Sequence, residues 1–209
     1  PRTEEADLAL LEKTGVDYVL MPSVEDIYPQ KDTRVFDLGT TDKTMEGAHR
    51  PGHFNGVAQV VSRLFDIVRP ERAYFGEKDF QQIAVIREMV RRYGYPVRIV
   101  ACPIVRGADG LALSSRNALL TPAHRAAAPT IYGALNENAA AARTMSVEEF
   151  RRRVVERIDA TKLLKTEYLS VVHAETLEEI DTWSDSFPMR CCIAVQAGDI
   201  RLIDNIAIA

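Results

Sequence analysis

The chain has 209 residues and a formal net charge of −4, and 46% of its residues are hydrophobic. That length suits one medium domain or two small ones, with enough apolar material for a core. No basic stretch argues for nucleic acid or an anionic membrane as partner, and no apolar run approaches the ~20 residues that span a bilayer.

The cysteines give no sign of a metal site or of a disulfide framework. Cys102 stands alone and Cys191 adjoins Cys192, which is not metal-ligand spacing. We interpret all three as reduced core thiols and expect a cytoplasmic protein. The sequence opens at Pro1 without a methionine and enters a helical pattern at once, so we expect that a preceding segment was removed.

The first half of the chain alternates helical and strand-like patterns. Thr3 is placed to cap a first helix, and the apolar, β-favouring run 17–21 predicts a strand. Residues 23–54 carry prolines and glycines without a sustained period, which is typical of an active-site loop. Apolar residues at helical spacing then predict a helix over 55–68.

A strand, a helix and a second strand follow, over 72–75, 79–93 and 97–102. Strands alternating with helices of this length predict right-handed crossovers and a parallel sheet with both faces covered. In such sheets ligands bind beyond the carboxyl ends of the strands. Segments 76–78 and 103–106 are therefore expected to be neighbours.

The junction between the first of these strands and the helix has the form of a phosphate site. Gly76 would let backbone approach a ligand, and Asp79 with Gln82 has the spacing of a capping box. Lys78 would then lie at a helix N-terminus, where the dipole and free N–H groups favour anions. Taken alone, the motif is equally compatible with an ordinary capped helix and a solvated lysine.

The pattern changes after residue 106, and we place a domain boundary near residue 104. A polar loop leads to Thr121-Pro122, which is typical of a helix start. A long Ala-rich helix and a second helix capped by Ser146 are predicted next. The tail is predicted as strands over 167–173, 191–196 and 200–205, the last two forming a hairpin.

Two other groups of polar side chains are candidates for chemistry. Ser114-Ser115-Arg116 offers two hydroxyls and a guanidinium fork suited to phosphate oxygens, but it also fits a polar turn between domains. His49 and His53 would share a face only on a helix, which the intervening proline and glycine disfavour. We therefore favour a substrate loop with Arg50 and His53 over a metal pair.

Three longer stretches, 47–56, 67–82 and 108–117, closely resemble the pantoate–β-alanine ligase family, and 195–205 is similar to that family's last hairpin. The resemblance covers essentially the whole chain. It implies an α/β fold in which residues 1–104 are the remainder of a Rossmann-like nucleotidyltransferase sheet, related to class I aminoacyl-tRNA synthetases. Residues 105–209 would be a smaller α+β C-terminal lid domain.

The resemblance also implies a reaction. In that family the pantoate carboxylate attacks the α-phosphate of Mg-ATP, pyrophosphate leaves, and the β-alanine amine then displaces AMP from pantoyl adenylate. ATP, Mg²⁺, pantoate and β-alanine are thus the implied small-molecule partners, and a homodimer is the implied assembly. Such chemistry depends on positioning and on stabilising charge at phosphate oxygens.

Residue roles carry over from the resemblance by position. Gln82 would hold pantoate, with Arg50 and His53 in the loop that closes over it. Val105 would meet adenine through its backbone, and the second domain would move as a lid about a hinge near residue 104. ATP would contact Gly76, Glu77, Lys78, Asp79, Leu113, Ser114, Ser115 and Arg116, among which Lys78, Ser114, Ser115 and Arg116 would be catalytic.

One departure from the family is large, because its His-x-Gly-His signature does not occur in these 209 residues. Those histidines would help to neutralise the transferring phosphates, so we expect this chain alone to be inactive or nearly so. Two other interpretations remain open. In the first, the chain is a fragment that only binds ligands or oligomerises. In the second, it belongs to a relative that adenylates another small carboxylate, and Gln82 and the Arg50 loop would determine which carboxylate binds.

Overall fold

The computed structural model describes residues 3–208, which divide into one compact unit ending at Arg34 and another beginning at Val35. In the first unit, helix α1 spans Glu4–Lys13 and helix α2 spans Val24–Ile27. None of the α1 side chains is fully buried. The Thr3 hydroxyl donates to the Asp7 carboxylate at 3.2 Å instead of capping the helix.

The strand predicted over 17–21 does not form. The segment runs without regular structure, finds no partner strand within residues 3–208, and leaves Tyr18 93% exposed. A β-favouring composition forms a strand only where a neighbouring backbone completes the hydrogen-bond ladder. The prediction is therefore wrong for these residues.

The second unit contains the remaining helices and all strands of residues 3–208. Its helices are α3 Met45–His49, α4 His53–Val68, α5 Phe80–Tyr93, α6 Pro122–Ala127, α7 Thr130–Ala140 and α8 Val147–Asp159. Its strands are β1 Arg72–Gly76, β2 Arg98–Cys102, β3 Leu164–His173, β4 Met189–Ala197 and β5 Ile200–Ile208. Short 3-10 turns lie at Glu77–Asp79, Ser115–Leu119 and Ala142–Thr144.

Strands β1 and β2 form a parallel pair, as the alternating pattern predicts. Arg72 lies opposite Arg98, and the register continues to Gly76 opposite Cys102, so both strands end at one edge. Helices α4 and α5 bury their apolar stripes beside this pair, with Phe65 and Met89 among the buried side chains. The crossover through α5 thus carries the chain from one strand end to the next.

The C-terminal half is an antiparallel sheet in the order β3-β4-β5, with apolar side chains of α7 and α8 in its core. The hairpin predicted near the C-terminus is confirmed, with strands longer than expected and a turn at Gly198-Asp199. The Ser146 hydroxyl accepts from the Glu149 amide at 3.1 Å and caps α8. The core of this half is the largest buried cluster of the described residues.

The predicted long Ala-rich helix is divided at Pro129, between α6 and α7. Proline lacks the N–H that a helix interior needs, and its ring clashes with the preceding turn. The α/β class is confirmed by the parallel pair and the helices beside it. The boundary near residue 104 stays a prediction. Across residues 3–208, none of the helices combines the length and apolar character needed to cross a bilayer.

Candidate active site

A cleft in the second unit brings the ends of β1 and α5 together with the C-terminal sheet. Its cavity volume is about 210 Å³. Both chain halves contribute polar side chains, so the cleft can present several charges to one ligand. The lining includes Glu46, Arg50, His53, Lys78, Asp79, Gln81, Gln82, Arg116, Tyr168, Arg201, Asp204 and Asn205.

Lys78 lies in the 3-10 turn between β1 and α5 and is half-buried at the cleft. Its ammonium takes part in none of the ion pairs formed within residues 3–208. The predicted capping box is wrong, because α5 begins at Phe80 and Asp79 makes no side-chain cap bond. Residues from a distant part of the chain hold the turn instead. Asp79 is an exposed carboxylate in the cleft.

The external support comes from the final hairpin. The Asn205 side-chain nitrogen donates to the carbonyls of Glu77 and Lys78, at 2.8 and 3.1 Å. Arg190 pairs with the Glu77 carboxylate at 3.0 Å and donates to the Asn205 side-chain oxygen at 2.7 Å. The backbone that carries Lys78 is thus bound by two residues of β4 and β5.

Glu46 forms a buried acidic wall of the cleft. Arg201 binds its two carboxylate oxygens at 2.7 and 2.8 Å, and the Tyr168 hydroxyl donates to it at 2.8 Å. Burial raises the pKa of Glu46, but the hydrogen bonds from Arg201 and Tyr168 outweigh it and the net pKa is lowered. Burial, reinforced by the Glu46 charge, raises the pKa of Tyr168, which stays a donor.

Arg50 and His53 lie together in the lining of the cleft, and their part in a substrate loop stays a prediction. An Arg50 guanidinium nitrogen is 3.2 Å from His53 Nε2 and lies 3.8 Å from the Glu46 carboxylate. Burial and the adjacent guanidinium lower the pKa of His53. The imidazole is therefore neutral near pH 7 and can accept a hydrogen bond.

The two neighbouring glutamines have different surroundings. Gln82, which the sequence singles out, is half-buried and lines the cleft. Gln81 is buried, donates to the carbonyls of Thr41 and Thr44 at 2.9 Å each, and accepts from the Glu46 amide at 2.9 Å. Gln81 therefore fixes the loop before α3, while Gln82 is the one available to a ligand.

The Ser-Ser-Arg segment is only partly at the cleft. Arg116 is exposed and lines it, whereas Ser114 and Ser115 do not. The Ser114 hydroxyl accepts from the Arg116 amide at 3.3 Å, so it caps the 3-10 turn that carries the arginine. The three residues are therefore a structured turn with its cation directed to the cleft.

The other residues that the sequence predicts to bind ATP lie outside the cleft lining. Gly76 has an ordinary extended backbone with φ of −69°, so it is not a position that only glycine can occupy. Val105 is 67% exposed and its carbonyl accepts from the Leu113 amide at 2.9 Å. The Glu77 carboxylate is engaged by Arg190.

The buried cysteines and the histidine near the cleft have structural surroundings. Burial raises the pKa of Cys192 to about 12, although the nearby Arg190 charge opposes this, so the group is not a ready nucleophile. His49 lies 3.1 Å from the Glu167 carboxylate and stacks on the Tyr168 ring. No cluster of three or more His, Cys, Asp or Glu side chains arranged for a metal ion occurs in the part of the chain that the structure describes.

The residues that support the cleft were not predicted from the sequence, and they are Glu46, Tyr168, Arg190, Arg201, Asp204 and Asn205. One signal was available. Asp204 and Asn205 are consecutive polar residues with isoleucines on either side in the strand, and both are buried. Buried polar groups require partners, so such a pair predicts contacts from the hairpin to another part of the chain.

The chain matches proteins of one family over nearly its whole length. A family model described as pantoate–beta-alanine ligase matches residues 1–207. The chain is 55% identical to the pantothenate synthetase of Porphyromonas gingivalis over 206 residues, covering 99% of this chain and 73% of that protein. Identity to the Bacteroides thetaiotaomicron pantothenate synthetase is 52%, with the same coverage.

Solved structures agree with these relationships. Pantothenate synthetase from Thermus thermophilus is 47% identical with a TM-score of 0.93, covering 100% of this chain and 75% of that one. The pantoate–beta-alanine ligase of Francisella tularensis, solved with beta-gamma ATP and beta-alanine, is 31% identical with a TM-score of 0.79. That match covers 99% of this chain and 70% of that one.

Proposed function

Since the chain belongs to the pantoate–β-alanine ligase family, we propose that the protein expressed from its complete gene catalyses the ATP-dependent condensation of pantoate with β-alanine. The pantoate carboxylate attacks the α-phosphate of ATP, and the bond to the β-phosphate breaks as pyrophosphate leaves. The β-alanine amine then attacks the acyl carbon of pantoyl adenylate. AMP leaves, the amine loses a proton, and pantothenate results.

The observation that carries this proposal is the meeting of Lys78, Arg116, Gln82 and the Arg50–His53 loop in the lining of one cleft. Adenylation needs positive charge around the transferring phosphate and a separate polar surface for the carboxylate that attacks it. Lys78 and Arg116 provide the charge. Gln82 and the Arg50–His53 loop provide the surface, which suits a small hydroxy acid.

The remaining residues that we expect to bind ATP would reach it through a closing motion of the C-terminal half. We propose that residues 105–209 act as a lid, so that Ser114, Ser115 and Leu113 reach the triphosphate and Val105 meets adenine when ATP binds. The hinge near residue 104, a Rossmann-like sheet built on the β1–β2 pair, and a homodimer belong to the same proposal. The Francisella relative solved with beta-gamma ATP and beta-alanine supports the choice of ligands.

Mg²⁺ would accompany ATP as part of the substrate. Mg²⁺ is commonly held by one or two carboxylates together with phosphate oxygens, rather than by a protein cage. Asp79 is exposed in the cleft beside Lys78, so its carboxylate fits such a contact. The bound ion would supply charge neutralisation at the phosphates.

Pyrophosphate exchange into ATP tests the first half-reaction, and AMP release with pantothenate formation tests the second. The protein expressed from its complete gene should carry out both, with pantoate preferred over other small hydroxy acids in a substrate panel. Lys78→Ala should slow exchange by roughly 10²–10³-fold, the usual effect of removing one transition-state charge donor. Lys165→Ala, an exposed lysine on β3, serves as the matched control and should retain activity.

Exchange that is supported by a different carboxylate and not by pantoate would assign the cleft to another ligase. Full activity of Lys78→Ala would contradict the role given to that lysine. Both results are read from one assay, since the substrate panel and the two variants use the same exchange measurement.

A further inference from the structure

We propose that Asn205 is a positioning residue for Lys78, because its carboxamide fixes the backbone of the Glu77–Lys78 turn and thereby sets where the lysine ammonium lies. The inference rests on the proposed function, in which Lys78 acts on the phosphates. It assigns to the final hairpin a part in the adenylation step, although the hairpin residue is 128 residues away in sequence from Glu77.

The geometry of the carboxamide is specific. Asn205 is 2% exposed, and its side-chain nitrogen donates to two consecutive carbonyls, at 2.8 Å to Glu77 and 3.1 Å to Lys78. Two bonds from one nitrogen to adjacent carbonyls fix the orientation of the intervening peptide unit. That unit includes the backbone from which the Lys78 side chain leaves.

The orientation of the Asn205 carboxamide is fixed as well, so that its oxygen and nitrogen cannot exchange places. Arg190 Nε donates to the Asn205 side-chain oxygen at 2.7 Å, and a reversed amide would face this donor with its own N–H groups. Arg190 also pairs with the Glu77 carboxylate at 3.0 Å and stacks over the Phe80 ring, 4.6 Å from its centre. Asn205, Arg190 and Glu77 therefore form a closed ring of contacts around the turn.

The turn depends on this support because its own residues make no capping hydrogen bonds that would hold it. Neither the 3-10 turn nor α5 has a side-chain cap bond at its N-terminus. A lysine on an uncapped turn would sample many positions, and misplacement of a charged group by about 1 Å is enough to cost about 10²-fold in rate. The buried amide of Asn205 supplies the missing constraint.

The neighbouring residue extends the same support to the loop after β2. The Asp204 carboxylate binds Arg106 at 2.7 and 2.9 Å, and it also accepts from the Asn205 backbone N–H at 2.8 Å. Two consecutive residues of β5 thus hold the two loops that follow β1 and β2. A change at Asn205 alone should disturb the first loop and leave the Asp204–Arg106 pair in place.

The decisive variant is Asn205→Asp, which keeps the shape and the acceptor for Arg190 but removes both donors. Asn138→Asp is the matched control, because Asn138 is also buried and its amide donates only within its own helix, to the Ala134 carbonyl at 2.9 Å. The protein is expressed from its complete gene, and thermal unfolding establishes a temperature at which each variant is folded. Asn205→Ala, which adds no charge, replaces Asn205→Asp if that variant does not fold.

We expect Asn205→Asp to lower kcat for pyrophosphate exchange by at least about tenfold while KM for pantoate stays within about threefold, which marks a loss confined to the transition state. In a Lys78→Ala background the same change should have less than about a twofold effect, since coupled residues are not additive. Asn138→Asp should leave both parameters within about twofold. Full additivity of Asn205→Asp with Lys78→Ala would overturn the proposal, because a purely structural role lowers activity equally in both backgrounds.

Hydrogen–deuterium exchange measures the positioning without reference to activity. The peptide covering residues 76–82 should exchange at least about tenfold faster in Asn205→Asp and should be unchanged in Asn138→Asp, because local opening is set by local contacts. Unchanged exchange in a folded Asn205 variant would also overturn the proposal. If the unaltered protein exchanges no pyrophosphate, the proposed function fails, and the deuterium measurement still decides whether Asn205 holds the turn.

Discussion

The Glu46 carboxylate illustrates how a charge can be kept on the wall of a ligand cleft. It is buried, receives two bonds from Arg201 and one from Tyr168, and its own backbone N–H donates to Gln81. Removing a charge from water is costly unless partners replace the solvent. Around Glu46, Arg201 and Tyr168 replace the solvent. Together with Gln81 they also hold in place the segment that leads to Arg50.

Replacing Arg201 by methionine should therefore destabilise the protein by roughly 3 kcal/mol, because it leaves a buried carboxylate without its main partner. Urea unfolding at pH 7 measures the change in free energy. Arg152→Met is the control, since Arg152 pairs with Glu149 and Glu156 on an exposed face of α8. That variant should lose no more than about 1 kcal/mol. Equal losses in the two variants would show that burial at Glu46 is unimportant.

Residues of the site differ in how readily sequence reveals them. Lys78 and Gln82 belong to a local strand–turn–helix pattern, and both line the cleft as that pattern indicates. Arg201 and Asn205 act on Glu46 and Glu77, which are 155 and 128 residues away along the chain. A single sequence contains no record of which distant polar groups meet, so their support of the site becomes visible only in the folded chain.

At the level of elements, the β4–β5 hairpin depends on its turn. Gly198 has φ of +63°, and an added Cβ would lie 3.0 Å from the His124 ring. Both the left-handed backbone and the close approach disfavour any side chain there. The turn also determines how β5 presents Asp204 and Asn205, so its geometry bears on the cleft.

Gly198→Ala should cost about 1–2 kcal/mol of unfolding free energy, the usual penalty for a side chain at a left-handed position. Gly56→Ala is the matched control, because Gly56 lies within α4 and an added Cβ meets nothing within 4 Å. The control should be neutral or stabilise by up to about 1 kcal/mol, since alanine is the better helix former. Urea unfolding of both variants compares them, and a loss in Gly56→Ala as large as in Gly198→Ala would contradict the argument.

Helix α5 carries a pH-dependent contribution to stability. The hydrogen bond from Arg91, opposed by partial burial and reinforced by Arg92, lowers the pKa of Glu88 from 4.5 to about 2. A carboxyl with a depressed pKa in the folded state stabilises fully above its unfolded pKa and loses that contribution as pH falls through the folded value. The contribution of Glu88 is thus present at pH 7 and lost between about pH 4.5 and 2.

Glu88→Gln should consequently lower stability at pH 7 and flatten the decline in unfolding free energy between about pH 4.5 and 2. Urea unfolding at several pH values in that range measures the slope. Glu148→Gln is the control, because Glu148 lies in the first turn of α8 and on an exposed face. A decline of the same steepness in Glu88→Gln and in the unaltered protein would rule out this source of acid sensitivity.

Elements with a strong local period were predictable, and those that need a distant partner were not. The β1–β2 pairing and the final hairpin follow from alternation and turn residues, and both are confirmed. The run 17–21 has strand composition but no neighbouring strand within the described chain, so its composition is misleading. The Ala-rich composition predicts one long helix, but Pro129 divides it into α6 and α7.

For the whole molecule, net charge is a poor guide to the site. The chain is acidic overall, with a formal net charge of −4. The cleft nevertheless gathers four cations, Lys78, Arg50, Arg116 and Arg201, against three carboxylates, Glu46, Asp79 and Asp204. An average over the sequence hides such a cluster, because what attracts an anionic ligand is the local field. Ser114 and Ser115 lie outside the cleft lining, which is why their proposed contact with ATP requires the lid to move.

The last prediction concerns what residues 1–209 can do when expressed by themselves. They provide Lys78 and Arg116 at the cleft but contain no His-x-Gly-His motif. The resemblance to the family implies that those histidines would share the charge of the transferring phosphates with the lysine. Losing transition-state donors of this kind typically costs roughly 10²–10³-fold or more in rate.

We therefore expect residues 1–209 to exchange pyrophosphate at least about a hundredfold more slowly than the Thermus thermophilus relative assayed alongside them. Calorimetry with ATP separates binding from chemistry, and intact mass verifies the length of the chain assayed. Exchange at the rate of the relative would contradict the prediction and would require other groups of this chain to neutralise the phosphates. Arg50 would be the first to examine, since it is a cation that already lines the cleft and lies 3.8 Å from its nearest carboxylate.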